Sequence, residues 1–241
     1  MTRTFRYLLL FILPFALSAC GGDDLPTPDG RKSEKPKIDA GTAVTINDEG
    51  KPTGKQEFTL INETTFQIDD IIYRADKGEL TIEGYNKAFF KGEARVISQL
   101  KYQGRELPVT SIADEAFMDC SVLTNIKIPS SVKHIGNYAF TKCKAMESVT
   151  LSEGQTDIGR YAFQFCTGLT SIAIPESVTY IGRYAFNNCD NLQDIYCYAV
   201  EPPGSESNID GYAATLHVPA EAIKAYRTTA PWSNFRHIVA L

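Results

Sequence analysis

Six cysteines are the residues best suited to chemistry, and four of them are evenly spaced. Cys120, Cys143, Cys166 and Cys189 recur every 23 residues, three positions after Phe117, Phe140, Phe163 and Phe186. Regular thiols could form a catalytic pair, a zinc site, disulfides or a repeated packing slot. Zinc sites want close pairs such as C-x-x-C, and the sequence holds none. Four sulfurs in one column also lie along a line, not at the corners of a tetrahedron. Disulfides are within reach if successive copies stack. Side chains that all point into one core favour buried thiols instead, since small cysteines are common hydrophobes. Cys197 agrees, because it falls in the column of Ile128, Leu151 and Ile174. A reactive thiol needs an electropositive, partly exposed setting, which this pattern does not supply. The expectation is buried free thiols, with no metal and no other cofactor.

Other catalytic constellations are missing from the sequence. It contains no G-x-S-x-G, H-E-x-x-H, P-loop or G-x-G-x-x-G. His134, His217 and His237 are scattered. Asp69 and Asp70 are adjacent, and on a strand they would face opposite ways. The reading is a protein that is not an enzyme.

The cysteines belong to a longer pattern. From Val109 to Pro203 the chain makes four copies at a period of 23. Ile112, Ile135, Ile158 and Ile181 share one column, and Ala116, Ala139, Ala162 and Ala185 another. Leu123, Met146, Leu169 and Leu192 follow, then Ile126, Val149, Ile172 and Ile195. Fixed apolar columns at a fixed period mark a solenoid, in which each coil buries itself against its neighbours. Ile126-Lys127-Ile128 and Ile172-Ala173-Ile174 alternate as strands do, closed by Pro129 and Pro175. Ala-Phe-x-x-Cys puts Phe and Cys at i and i+3, on one face of a single helical turn. Gly136, Gly159 and Gly182 stand where the chain turns into that piece, with Ala113 in the first copy. In the third copy Ser152-Glu153-Gly154-Gln155 replaces the pattern of Pro129-Ser130-Ser131-Val132, which predicts a looser turn.

Read as I-G-x-x-A-F-x-x-C-x-x-L-x-x-I-x-I-P, residues 109–203 resemble the BspA-like leucine-rich repeat family. The expected fold is α/β but mainly β: a leucine-rich-repeat solenoid with a parallel sheet and short helical turns. The resemblance also implies adhesion to host matrix proteins or to other cells.

The flanks read as caps and a leader. Arg3 and Arg6 precede an apolar run from Tyr7 to Ala19, too short to span a bilayer, so residues 1–19 read as a signal peptide. Leu17-Ser18-Ala19-Cys20 resembles a bacterial lipobox, which implies lipidation of Cys20, export, and anchoring to the bacterial outer membrane or cell surface. Residues 20–57 read as a lipidated tether, rich in proline, glycine and charge, with Val44 and Ile46 leaving room for a short strand. Losing Arg3 and Arg6 with the leader moves the formal charge from −5 to −7, so nucleic acid is not an expected partner. Residues 58–108 read as a β-rich cap: a hairpin of Phe66–Arg74 and Glu79–Glu83 turning at Asp76-Lys77-Gly78. Val96, Ile97, Tyr102 and Leu107 suggest a degenerate leading coil. Residues 204–241 read as a fifth strand at Leu216-His217-Val218-Pro219, a short helix over Ala220 to Arg227, and a seal of Trp232, Phe235 and Ile238 at helix-like spacing.

Regular strands expose regular columns. One comprises Asn125, Ser148, Ser171, Asp194 and Thr215; the other Lys127, Thr150, Ala173, Tyr196 and His217. A merely solvated sheet face has the same alternation. The functional reading is a docking surface for an extracellular or envelope protein, or a glycan, centred where Tyr196 and His217 become neighbours. The alternative is a structural part of the envelope that docks a partner lipoprotein. Tyr138, Tyr161 and Tyr184, beside Arg160 and Arg183, read as partly buried ring packing. The oligomeric state stays open.

Overall fold

A computed structural model describes residues 42–46 and 52–241, with side chains from Phe58 onward. The signal peptide, the lipobox with Cys20 and the first part of the tether lie outside the described residues. Strands β1 (Thr42–Ile46), β2 (Pro52–Asn62), β3 (Thr65–Ile68), β4 (Ile71–Asp76) and β5 (Glu79–Tyr85) run as an antiparallel meander. After β6 (Glu93–Arg95) come β7 (Gln99–Tyr102) and β8 (Arg105–Ile112). The first half of β8 pairs antiparallel with β7, and its second half pairs parallel with β5. Since β7 also pairs with β1, these strands close into a ring, an arrangement without a free edge.

The cap is therefore a closed meander where a single hairpin was expected. Asp69 and Asp70 do not lie within one strand; they form the tight turn between β3 and β4, with Ile68 paired to Ile71 and Asp69 at φ 51°. Both β1 and β2 begin inside the stretch read as tether. The ring is filled by Phe58, Phe66 and Tyr102, packed edge to face with centroids 5.3 to 5.7 Å apart.

The solenoid follows: β9 (Asn125–Ile128), β10 (His134–Ile135), β11 (Ser148–Leu151), β12 (Asp157–Ile158), β13 (Ser171–Ile174), β14 (Tyr180–Ile181), β15 (Asp194–Cys197) and β16 (Thr215–Val218). Helix α1 (Ile223–Thr228) and β17 (His237–Ala240) end it. One sheet stacks β8, β10, β12 and β14 in parallel. The strand face consists of β6–β9–β11 and β13–β15–β16–β17, also parallel. Between the sheets the apolar columns are buried, and Phe117, Phe140, Phe163 and Phe186 stack with centroids 5.3, 5.3 and 6.0 Å apart. Tyr85 extends that ladder into the cap, 5.7 Å from Phe117. A leading rung exists, but Tyr102 and Leu107 are not on it: β6 puts Glu93 beside Asn125, where a 23-residue period would put Tyr102, while Tyr102 and Leu107 lie on β7 and β8 of the cap. The β7–β8 hairpin occupies the difference and disguises the repeat.

The pieces expected as helical turns are tight turns. Cys143 N–H does bond Phe140 O at 3.1 Å, as in one helical turn, but Tyr138 and Lys142 sit at φ 57° and 63°. Alternate N–H groups then point to the next coil, Tyr138 to Arg160 O at 2.8 Å and Lys142 to Gln164 O at 2.7 Å. A helix would satisfy these groups within itself. Here they tie coil to coil.

The glycine column answers to stacking and not to turning. None of Gly136, Gly159 and Gly182 has a positive φ, yet a Cβ on Gly159 would lie 2.6 Å from the carbonyl carbon of Gly136. Ala113 fits in the first coil because β5, not another coil, lies before it, and Ala113 N–H bonds Ile82 O at 2.8 Å.

The third-coil departure is also not loose. Gln155 takes the column of Val132 and Val178, fully buried, and donates to Pro129 O and Val132 O at 2.9 and 3.0 Å. The Glu153 carboxylate accepts the N–H groups of Glu176 and Ser177 at 3.3 and 3.2 Å. What does break nearby is the strand face, for β11 and β13 touch without forming a ladder.

At the far end the expected strand and short helix are present as β16 and α1. The helix-like spacing of the seal is corrected. Trp232 begins a 3-10 turn, Phe235 is extended and Ile238 lies on β17, a further rung beside β16. All three are buried, and Trp232 Nε1 donates to Pro203 O at 2.8 Å.

Candidate docking face

The cysteine column holds no assembled chemistry. Cys120, Cys143, Cys166, Cys189 and Cys197 are free thiols and buried. Three of them donate S–H to the Phe carbonyl one coil earlier: Cys143 to Phe117, Cys166 to Phe140 and Cys189 to Phe163, at 3.1, 3.1 and 3.0 Å. A small side chain with one weak donor suits this slot, a reason for cysteine that the spacing alone did not reveal. Burial pushes the Cys189 thiol up to about 12 and raises those of Cys120, Cys143, Cys166 and Cys197. Thiols held protonated at neutral pH are poor nucleophiles and poor metal ligands. Among the described residues, no three His, Cys, Asp or Glu side chains converge as a metal site would require.

The strand face presents its outward residues in the anticipated register. Asn125 lies beside Ser148 and Lys127 beside Thr150; Ser171 lies beside Asp194, Ala173 beside Tyr196, and Tyr196 beside His217. The gap between β11 and β13 divides the predicted residues into two groups. In the first, Ser148 Oγ donates to Asn125 Oδ1 at 2.6 Å. In the second, the Tyr196 and His217 rings stack at 4.4 Å and 19°, and His217 Nε2 lies 2.7 Å from Asp194 Oδ1. That contact fixes the imidazole from behind while its face covers the phenol.

Sequence reasoning missed both ends of the face. Glu93 and Arg95 precede Asn125 and Lys127; His237 and Val239 follow Thr215 and His217. The short alternations Glu93-Ala94-Arg95 and His237-Ile238-Val239-Ala240 were the available signal, hidden because the period fails at both flanks. Alternation carries the same side on to Tyr198 and Leu241, just beyond β15 and β17. Tyr198, Val239 and Leu241 are 46%, 40% and 51% exposed.

The second tyrosine ladder behaves as packing. Tyr138 and Tyr161 stack at 4.8 Å and 6°, and all three rings are half-buried. Arg183 covers Tyr184 at 4.9 Å and donates to the Tyr161 hydroxyl, while Arg160 turns away to pair with Glu206.

Comparison with known proteins also finds a repeat here. Residues 98–204 match the model of the BspA type leucine rich repeat region in six copies. This stretch is a BspA-type leucine-rich repeat. The six copies exceed the four read over 109–203, and the match begins at Ser98, within the leading coil that the β7–β8 hairpin disguises. A leucine-rich repeat protein from Bacteroides capillosus ATCC 29799 is similar at 29% identity and TM-score 0.52, over 57% of this chain and 100% of that one. One from Bacteroides ovatus ATCC 8483 is similar at 28% and 0.52, over 73% of this chain and 41% of that one. The T. pallidum leucine-rich repeat protein is similar at 25% and 0.55, over 70% and 78%. The chain thus spans all of the first and less than half of the second. No curated protein matches it. Leucine-rich repeats are protein-binding modules, and the extended strand face is the kind of surface such stacked folds offer.

Proposed function

We propose that this BspA-type repeat protein is a non-catalytic recognition module, tethered to the bacterial cell surface through Cys20, that docks another protein on the last rungs of its strand face. The observation that carries the reading is the stacked Tyr196–His217 pair with Tyr198, Val239 and Leu241 exposed beside it. Interfaces take their binding energy from a few aromatic and aliphatic anchors set in a polar rim. Lipidation and export are supported by the lipobox behind an apolar leader, and adhesion to host matrix proteins or other cells by the family resemblance. Among the described residues no helix is long and apolar enough to cross a membrane. In this reading the acyl chains on Cys20 are the anchor.

The test has two arms. Protease added to intact cells should shave the repeat region, and the full chain should bind immobilised extracellular-matrix proteins. Tyr196→Ala with His217→Ala should weaken that binding at least about tenfold. Protection from protease in intact cells would remove the adhesive reading. Crosslinking to a single stoichiometric envelope protein would favour the docking of a partner lipoprotein instead.

A further inference from the structure

The sheet formed by β8, β10, β12 and β14 carries a groove of about 470 Å³ that the docking reading leaves unused. It crosses successive coils and so runs along the stack. Its floor is Ala113, Gly136 and Gly159, where the close approach of neighbouring coils leaves no room for larger side chains. One wall is His134, Asp157 and Tyr180, from β10, β12 and β14; the other is Asp114, Asn137 and Arg160. The walls are braced from coil to coil. His134 Nδ1 lies 2.5 Å from Asp157 Oδ1, and Asn137 Nδ2 donates to both Asp114 carboxylate oxygens at 3.3 and 3.2 Å. Glu206 lines one end, where it pairs with Arg160.

Three properties select the ligand class. The isoleucines under the floor, Ile112, Ile135 and Ile158, are at most 1% exposed, so a protein hot spot has no apolar anchor here. β10 and β12 are paired on both sides, so an extended peptide has no free edge to join. What remains is carboxylate, amide, imidazole, guanidinium and phenol groups, one to each wall per coil, on rungs about 4.8 Å apart. That spacing is close to the length of one pyranose unit, and these groups both donate to and accept from hydroxyls. Asp114, Asp157 and Glu206 outnumber Arg160, which disfavours an anionic chain.

We infer that this groove binds a linear, neutral polysaccharide lying along the solenoid axis, about one sugar per coil, with Tyr180 as the stacking surface at one end. This site is separate from the strand face and does not depend on a protein partner there. Isothermal titration calorimetry of the full chain against cellohexaose, maltohexaose, xylohexaose and mannohexaose tests it, with sialyllactose as the anionic control. At least one neutral hexasaccharide should bind and sialyllactose should not. Tyr180→Ala and the isosteric Asp157→Asn should each weaken binding about fivefold or more, with the melting temperature kept as the check on folding. Tyr196→Ala should leave it unchanged. Binding by none of the four neutral probes, or binding that survives both groove substitutions, overturns the inference. Loss of binding on Tyr196→Ala also overturns it and moves the site to the strand face.

Discussion

The two stretches of the strand face rest on one core and show different chemistry. On β6, β9 and β11 the outward residues include Glu93, Arg95, Asn125 and Lys127, charged or amide groups suited to water. On β15, β16 and β17 they include Tyr196, His217 and Val239. The hydrogen-bonded ladder stops between β11 and β13, yet the Phe140 and Phe163 rings beneath it stack at 5.3 Å and 5°, as closely as Phe117 and Phe140. An inward column is held by the coil above and the coil below, so its residues cannot vary one at a time. An outward column has water on one side, and there a coil is free to differ. Functional difference along this solenoid should therefore be sought on its surface, with the shared core as the constant.

The largest effect would come from cutting the shared core at the gap. Phe163→Ala should cost about 3–5 kcal/mol, because the cavity sits between stacked rings that cannot collapse around it. If the two stretches are one folding unit, thermal unfolding followed by circular dichroism should keep a single transition at a lower temperature. Two resolved transitions would mean that the gap separates units, as in a weakly coupled repeat array.

Surface substitutions should then separate the stretches by function. Tyr196→Ala with His217→Ala should weaken protein binding by about 2 kcal/mol, roughly 30-fold, measured by surface plasmon resonance. Lys127→Ala with Thr150→Ala, on the other side of the gap, should change it by less than about threefold, as for rim residues. Equal losses from both pairs would erase the distinction.

Most of the repeat was legible because its core is periodic. The columns of Ile112, Phe117, Cys120 and Leu123 predict buried rungs, and the register of Tyr196 beside His217 follows from Leu216-His217-Val218-Pro219 repeating the strand pattern, since the period itself would put Pro219 there. The closed cap was not legible. Its ring depends on β8 changing partners midway, from β7 to β5, a long-range choice that local alternation around Leu107 does not encode. The turns were misread because Ala-Phe-x-x-Cys has the spacing of a helix, while left-handed Tyr138 and Lys142 point their N–H groups to the next coil. Val239 was missed from the face because Trp232, Phe235 and Ile238 imitate a helical stripe across what is a turn followed by a strand.

A smaller effect of opposite sign is expected in the coil at the gap. Gln155 fills a valine column, and its buried Oε1 has no partner. Gln155→Val would remove that orphaned acceptor and also two donated bonds, one to Pro129 O, which still accepts the Val132 N–H at 3.1 Å, and one to Val132 O. Because an unpaired buried polar atom costs more than a typical hydrogen bond returns, the exchange should raise stability by about 1 kcal/mol. Urea denaturation with an unchanged slope would measure it. A loss instead would show that the bonds to Pro129 and Val132 hold the third coil in register.

The smallest effect concerns the loop before β16, which belongs to the second stretch and lines one end of the polar groove. The hydrogen bond from Arg160 holds the Glu206 carboxyl below its ordinary range. A carboxyl lowered in the folded state adds stability above its unfolded value of about 4.3, and that contribution disappears as pH falls through the lowered folded value. Both side chains are exposed, so the consequence should be local and screened by salt. Amide exchange over residues 204–208, corrected for the intrinsic pH dependence, should accelerate between pH 7 and pH 3, and Glu206→Gln should reproduce the acceleration at pH 7. The same correction applied to Phe140 and Phe163 should show no change over that range, because stacked apolar rings hold that ladder. Equal protection of the loop at both pH values would mean that backbone bonds such as Ile181 N–H to Gly204 O, at 2.9 Å, hold it without the ion pair.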